Sequence, residues 1–323
     1  MRFIVYGAGA IGGVVGGRLA EAGHEVVLLA RGQHRAVMAE RGLRIDSPDR
    51  SVTLHPEVRG HPDEIDWSTD DIVLLAVKGQ DTSAARDALV RSAPPSVSIV
   101  CLQNGVVNEQ MMLRSFASVY GVFVACPAGH MEPGVVIAYS APTTAILDIG
   151  RYPSGTDSTA AAVAEAFRQA TIDSEVRADV MRWKYTKLLM NLGNVISALC
   201  GPEERGGPLN RRLRDEAEAC YRAAGIDYAS AEEDRERRGQ RLQLGKVNGA
   251  DRLGDSSWQS LARGTGAIET EFLNGEIVLL GRLNGVPTPA NQLVCLLARQ
   301  AVREGWAPGV ITCTEILERL PAV

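Results

Sequence analysis

The stretch MRWKYTKLLMNLGN, residues 181–194, carries Lys184 and Lys187, two of only four lysines in a chain whose 34 basic residues are otherwise arginine. Arginine stays protonated in essentially any protein setting, whereas a partly buried lysine shifts its pKa and exchanges a proton. A lysine kept among arginines is therefore a candidate for proton chemistry. On a helix, Lys187, Asn191 and Asn194 stand at i, i+4 and i+7, so at about 100° per residue they share one narrow stripe. Buried, one amine and two amides would each need partners. Facing a cleft, they would form a site for a small oxygen-rich substrate. Lys184, three residues earlier, is a rival to Lys187.

A second polar set follows in DSSWQSLARGTGAIETEFLNGE: Ser256, Ser257, Glu269, Glu271 and Asn274. On a helix Glu269 shares a side with Thr265, while Asn274, five residues on, diverges from it. One carboxylate turned into a cleft would align or balance a lysine; Glu271 reads as a solvated face. All five histidines lie between His24 and His130, so histidine from the second half cannot supply a proton.

The other chemistry-bearing motif is GAGAIG, from Gly7 through Ala8, Gly9, Ala10 and Ile11 to Gly12. The first glycine makes a tight turn, the second lets the backbone approach a pyrophosphate, and the third lets a helix pack on a strand. The motif follows a strand pattern, opens a helix pattern and lies in a βαβ unit of about 30 residues, the context that marks a dinucleotide site. At the tip of the second strand, LLARGQHR places Arg31, with Arg35 nearby, where an NAD-preferring site has an acid. A cation there favours the 2′-phosphate of NADP. Lys78 and Asn104 end the next two buried strand patterns, DIVLLAVK and VSIVCLQNG. Lys78 suits phosphate or ribose. Asn104 suits the nicotinamide, the substrate or a catalytic lysine, or is a plain turn residue before glycine.

These residues need elements to hold them. The first part reads as strands alternating with helices and implies a parallel sheet; residues 118–150 have β character. From about Thr159 the pattern is mostly helical, with a last strand near DSEVR. The expected fold is α/β: a Rossmann-type dinucleotide-binding domain over residues 1–175, then an all-helical substrate domain over residues 176–323, with a cleft between them. AEEDRERRGQRLQLGK reads as a solvated helix or connector.

A net charge of −5 argues against nucleic acid as partner. No apolar run reaches the roughly 18 residues of a membrane span, and a structural motif so close to Met1 leaves no place for a signal peptide. The six cysteines are scattered without a CxxC pair, which gives neither a metal site nor a disulfide framework. The expectation is a cytoplasmic protein with reduced thiols and no metal. A homodimer is the one assembly considered, because helical second domains of this kind often pair.

Together these motifs resemble the ketopantoate reductase (2-dehydropantoate 2-reductase) family over almost the whole length: GAGAIG, the strand-tip arginine, AVK, QNG, EPGVV, KLLMN, SSWQSLARGTGAIETEFLNGE and GVPTP. The resemblance implies that NADPH delivers hydride to the ketone carbon of a 2-keto acid, giving the 2-hydroxy acid. It places the proton donor on Lys187, where the KLxxN frame matches, and its paired glutamate on Glu269. It places substrate contacts on Ser257, Asn104, Asn191 and Asn194. Cofactor contacts fall on the residues from Gly7 to Gly12, on Arg31, Lys78 and Ala128, and also on Asn104 and Glu269. The chain departs from the family pattern on the substrate side. The second asparagine comes seven residues after the lysine instead of eight, Tyr185 stands where tryptophan is usual, and CGPEERGGPLNRRLRDE finds no counterpart. Three readings stand: a ketopantoate reductase or close 2-keto acid reductase, an NADP-linked reductase of imines or bulkier keto acids, and a non-catalytic NADP-binding redox sensor. A sensor has no need of Lys187, Glu269 and Ser257 together.

Overall fold

The computed structural model describes residues 1–252, 254–264 and 268–321; Thr265 lies outside them. Along the chain run β1 (Arg2–Tyr6), α1 (Ala10–Glu21), β2 (Val26–Leu29), α2 (Gly32–Arg41), β3 (Leu43–Asp46), β4 (Ser51–Leu54), β5 (Glu57–Arg59), β6 (Asp71–Leu75), α3 (Thr82–Ser92), β7 (Ser98–Cys101), α4 (Asn108–Leu113), β8 (Val119–Ala125), β9 (Ala128–Gly129), β10 (Val135–Ala138), β11 (Ala145–Arg151), α5 (Ser158–Gln169) and β12 (Ile172–Asp173). Then come α6 (Val180–Asn191), α7 (Asn194–Cys200), α8 (Pro208–Ala224), α9 (Ala231–Arg238), α10 (Ser256–Ala262), α11 (Asn274–Asn284), α12 (Pro289–Glu304) and α13 (Cys313–Glu318).

The main sheet has the order β12-β11-β8-β7-β6-β1-β2-β5. From β5 to β8 every pairing is parallel; β11 is antiparallel to β8. Outward from β1 the order runs one way through β2 and the other through β6, the doubly wound arrangement of a Rossmann-type domain. Its central strands β1, β2, β6 and β7 are largely apolar because both faces are covered. Side chains alternate accordingly: Phe3, Val5, Leu28 and Leu74 enter one buried cluster, and Ile4, Val27, Leu29, Val73 and Leu75 the other. A smaller sheet, β4-β3-β10-β9, forms in the same unit.

The chain divides into two compact units, residues 1–184 with 229–252, and residues 185–228 with 253–323. The division does not follow a single cut near residue 175. The first unit runs into α6 and takes back Ala229–Arg252, because that segment makes ion pairs there. Arg237 on α9 donates to Asp148 at 2.8 Å and to Asp173 at 2.9 Å, and Arg182 donates to Glu233 at 2.8 Å. The charge run expected to be solvated is therefore partly core, with Asp234 and Arg237 buried. The second unit is helical, with no strand among its described residues.

Candidate active site

In the first unit, β1 is followed directly by Gly7, whose φ of +104° is open to glycine and strained for other residues. A Cβ there would also stand 2.8 Å from the Val77 amide nitrogen, so the turn after β1 lies against the loop after β6. These two strands flank the point where the strand order reverses, the place where open α/β sheets bind ligands. A Cβ on Gly12 would meet Gly7 O at 2.2 Å, so α1 can pack on its strand only as glycine allows. At Gly9 a Cβ would meet nothing within 4 Å. That open backbone, at the start of a helix whose N-cap offers no side chain, fits the pyrophosphate of a dinucleotide. Ala8 is buried, and Ala10 and Ile11 are half-buried beside it.

The turn is braced by a residue that the motifs did not single out. His34 Nε2 lies 2.7 Å from Ala8 O, and its Nδ1 lies 2.8 Å from the Gly134 amide nitrogen. An amide N–H only donates, so Nδ1 accepts, Nε2 carries the proton and the ring is neutral. Burial pushes its pKa down, consistent with that state.

Arg31 stands between β2 and α2 with its side chain 81% exposed and its guanidinium 3.9 Å from Asp81. Arg35 turns instead to Glu64, at 3.1 Å. Lys78 is the N-cap residue of a short 3-10 turn, Gly79–Asp81. Gln103 ties that loop to the one carrying Asn104: its Nε2 donates to Val77 O at 2.7 Å and to Thr82 Oγ1 at 2.9 Å. Asn104 itself accepts through its carbonyl from Asn108 Nδ2 at 3.1 Å. The structure thus brings the glycine turn, Lys78 and Asn104 to one edge of the sheet. Ala128 is a buried residue of β9, in the same apolar cluster as Ala8.

Lys184 belongs to this unit too. Its Nζ donates to Gln103 O at 2.8 Å and to Val122 O at 3.2 Å, and lies 2.8 Å from Glu109 Oε1. The Lys184 and Glu109 side chains are 2% and 0% exposed. The ammonium is thus held by two buried backbone carbonyls and stands beside a buried carboxylate. Of the two lysines of α6, Lys184 is the one buried among these acceptors.

The second unit holds Lys187, Asn191, Asn194, Ser257 and Glu269. Lys187 is half-buried on α6, while Leu188 and Leu189 beside it are core. The stripe drawn on one helix needs correction, because α6 ends at Asn191 and Asn194 opens α7. Two long-range donors satisfy carbonyls at the break. Asn274 Nδ2 donates to Leu192 O at 3.2 Å, and Arg205 Nη2 donates to Met190 O at 3.0 Å. Arg205 Nη2 also donates to Asn194 Oδ1 at 2.8 Å. Asn191 and Asn194 are both buried.

Asn274, expected with the polar set, is fully buried and also donates to Asn291 Oδ1 at 3.1 Å; it supports the helix break. Ser257 is buried on α10, and its amide donates to Asp255 Oδ1 at 3.0 Å. Burial pushes the Asp255 carboxyl pKa up, against the pull of the Trp258 amide and of Arg205. Glu269 begins the 3-10 turn Glu269–Phe272, so the helical spacing assumed between Glu269 and Asn274 does not hold. Glu271 is exposed and paired with Arg299, in line with its solvated reading.

Three residues that brace these groups within their own units, His34 in the first and Asp255 and Arg205 in the second, were not singled out from sequence. His34 was visible only as one of five histidines, and Asp255 only as an N-cap type before serines. Arg205 sits in CGPEERGGPLNRRLRDE, a stretch in which the motifs single out no residue.

The family model described as ketopantoate reductase PanE/ApbA matches residues 3–153, and the corresponding C-terminal model matches residues 179–302. A 2-dehydropantoate 2-reductase of Halobacterium salinarum is 30% identical over 321 residues, covering 94% of this chain and 100% of the relative. Another, of Pyrococcus horikoshii, is 27% identical over 307 residues, covering 93% and 97%. Among solved structures, the PanE/ApbA family ketopantoate reductase from Ralstonia eutropha JMP134 matches with a TM-score of 0.79 at 28% identity, over 94% of this chain and 99% of that one. D-mandelate dehydrogenase, solved with NADH and anilino(oxo)acetate, shares the fold, with a TM-score of 0.78 at 18% identity over 94% and 99% of the two chains.

Proposed function

This chain belongs to the ketopantoate reductase family, and on that premise we propose that it reduces a 2-keto acid, 2-dehydropantoate first among candidates, to the 2-hydroxy acid with NADPH. The observation that carries this reading is the division of labour on α6. Lys184 is consumed by Glu109 and two carbonyls, which leaves Lys187 as the lysine of that helix for chemistry.

When bound, the reduced nicotinamide supplies a hydride to the ketone carbon. Lys187 meets the negative charge that grows on the carbonyl oxygen, lowers the barrier by stabilising it, and passes one proton to that oxygen. The ketone thus gains one hydride at carbon and one proton at oxygen. An arginine would supply the charge but would not give up the proton. Glu269 aligns the lysine and contacts the cofactor. Asn104, Asn191, Asn194 and Ser257 hold the substrate oxygens. The residues from Gly7 to Gly12 carry the pyrophosphate and Lys78 a phosphate or ribose oxygen. Ala128 lines the cofactor side. Arg31, exposed at the tip of β2, supports NADP over NAD by offering a cation where the 2′-phosphate would lie.

A second reading, reduction of a different 2-keto acid, is favoured by one observation: Asn194 opens a new helix and is held by Arg205.

The test is to follow NADPH absorbance with purified protein and a panel of 2-keto acids headed by 2-dehydropantoate, repeating the best case with NADH. Fast oxidation with 2-dehydropantoate and little with NADH is the expected result. Fast turnover of another acid supports the second reading, and NADPH binding without any turnover overturns both.

A further inference from the structure

Arg205 is tied to Asn194, and a guanidinium is donor-only, so the direction of that bond is fixed. The Asn194 amide must turn its oxygen toward Arg205, which leaves its NH₂ as the end presented away from it. Arg205 is itself held in place. Its Nη2 also caps Met190 O at 3.0 Å, and its Nη1 stands 3.9 Å from Asp255 Oδ2 on a carboxylate whose side chain is 8% exposed. Gly193 makes room for it: a Cβ there would meet Arg205 Cγ at 3.1 Å and Nε at 3.3 Å. Asp255 in turn accepts from the Ser257 amide at 3.0 Å, so one acid links the arginine to the serine expected on the substrate.

We propose that Arg205 is a positioning residue that locks Asn194 with its NH₂ outward, so that the substrate side of the second unit presents a hydrogen-bond donor to the carboxylate of a 2-keto acid. This deepens the reading of a 2-keto acid reductase and rests on it. Without the arginine the amide is free to flip, and half of its orientations would present an oxygen to an anion.

The test is a double-mutant cycle with steady-state kinetics on the best 2-keto acid: wild type, Arg205→Met, Asn194→Ala and the double variant. Arg205→Met is expected to raise KM by about tenfold or more, as for loss of a charge-assisted contact, with kcat changed by less than about threefold. In the Asn194→Ala background the same change is expected to cost less than about twofold, because its effect runs through the amide. Equal cost in both backgrounds, or no cost in either, overturns the proposal.

Asn194→Asp decides the matter should Arg205→Met fail to fold. The aspartate keeps an oxygen for Arg205 but replaces the outward donor with an acceptor. Its melting temperature is expected at or above that of wild type, while kcat/KM falls by about 100-fold or more. Wild-type kcat/KM in Asn194→Asp overturns the proposal. Failure of the underlying reading looks different: the wild type itself would turn over no 2-keto acid, and the inference would fall with it.

Discussion

The Lys184 ammonium lies 2.8 Å from a carboxylate oxygen of Glu109, and neither side chain reaches solvent. Breaking a buried pair leaves one charge uncompensated, at a cost of about 3–5 kcal/mol. Lys184→Met should therefore lower stability by several kcal/mol in denaturant titration, and Glu109→Gln should do the same. Lys187→Arg should behave in the opposite way, keeping the melting temperature and losing most of kcat, about 100-fold or more for a lost general acid. A Lys187→Arg enzyme with wild-type turnover would remove Lys187 from the mechanism, and a stable, inactive Lys184→Met would put Lys184 there.

Arg31 tests the cofactor. Its side chain is 81% exposed, and the nearest carboxylate, Asp81, is 3.9 Å away, so Arg31→Ala should cost little stability. If the arginine holds a 2′-phosphate, KM for NADPH should rise by about 10- to 100-fold, the worth of a hydrogen bond between charged groups. KM for NADH should stay within about twofold. Equal changes for both cofactors would show that Arg31 does not read the 2′-position.

Some of this was legible in the sequence and some was not, for identifiable reasons. GAGAIG announced its turn because glycine chemistry is local: Gly7 has the positive φ of a tight turn, and Gly12 the close helix–strand approach that the spacing assigns. The doubly wound sheet followed from apolar runs such as DIVLL, which only a sheet covered on both faces requires. The return of Ala229–Arg252 to the first unit was invisible, because Arg237 reads like any of the other arginines until Asp148 and Asp173 are brought beside it. The end of α6 at Asn191 was hidden for a similar reason. Asn274 and Arg205 satisfy the carbonyls that the break exposes, and both lie far along the chain.

His34 makes stability depend on pH. Its two nitrogens serve Ala8 O and the Gly134 amide only in the neutral ring, and burial lowers its pKa below the ordinary 6.5. The unfolded chain thus takes up a proton near pH 6.5, while the folded chain resists until lower pH. Stability from this group is therefore fully present above about 6.5 and is lost as pH falls through that value toward the folded-state pKa. Denaturation midpoints from pH 8 to pH 5 should fall more steeply for the wild type than for His34→Gln. Parallel curves would rule out His34 as the source.

Gly9 and Gly12 separate cofactor binding from folding. A methyl at residue 12 would lie 2.2 Å from the Gly7 carbonyl oxygen, a backbone atom that cannot step aside without moving the turn. Gly12→Ala should cost about 1–3 kcal/mol of stability, as overpacking does. A methyl at residue 9 would meet nothing within 4 Å, so Gly9→Ala should melt like the wild type. It would nonetheless occupy the open space assigned to the pyrophosphate, and NADPH binding should weaken by about tenfold or more, a loss of at least about 1.4 kcal/mol. Calorimetric titration with NADPH, alongside thermal melting of both variants, measures the two effects independently. Should Gly9→Ala bind NADPH as tightly as the wild type, the pyrophosphate does not lie over this backbone, and the turn after β1 serves packing alone.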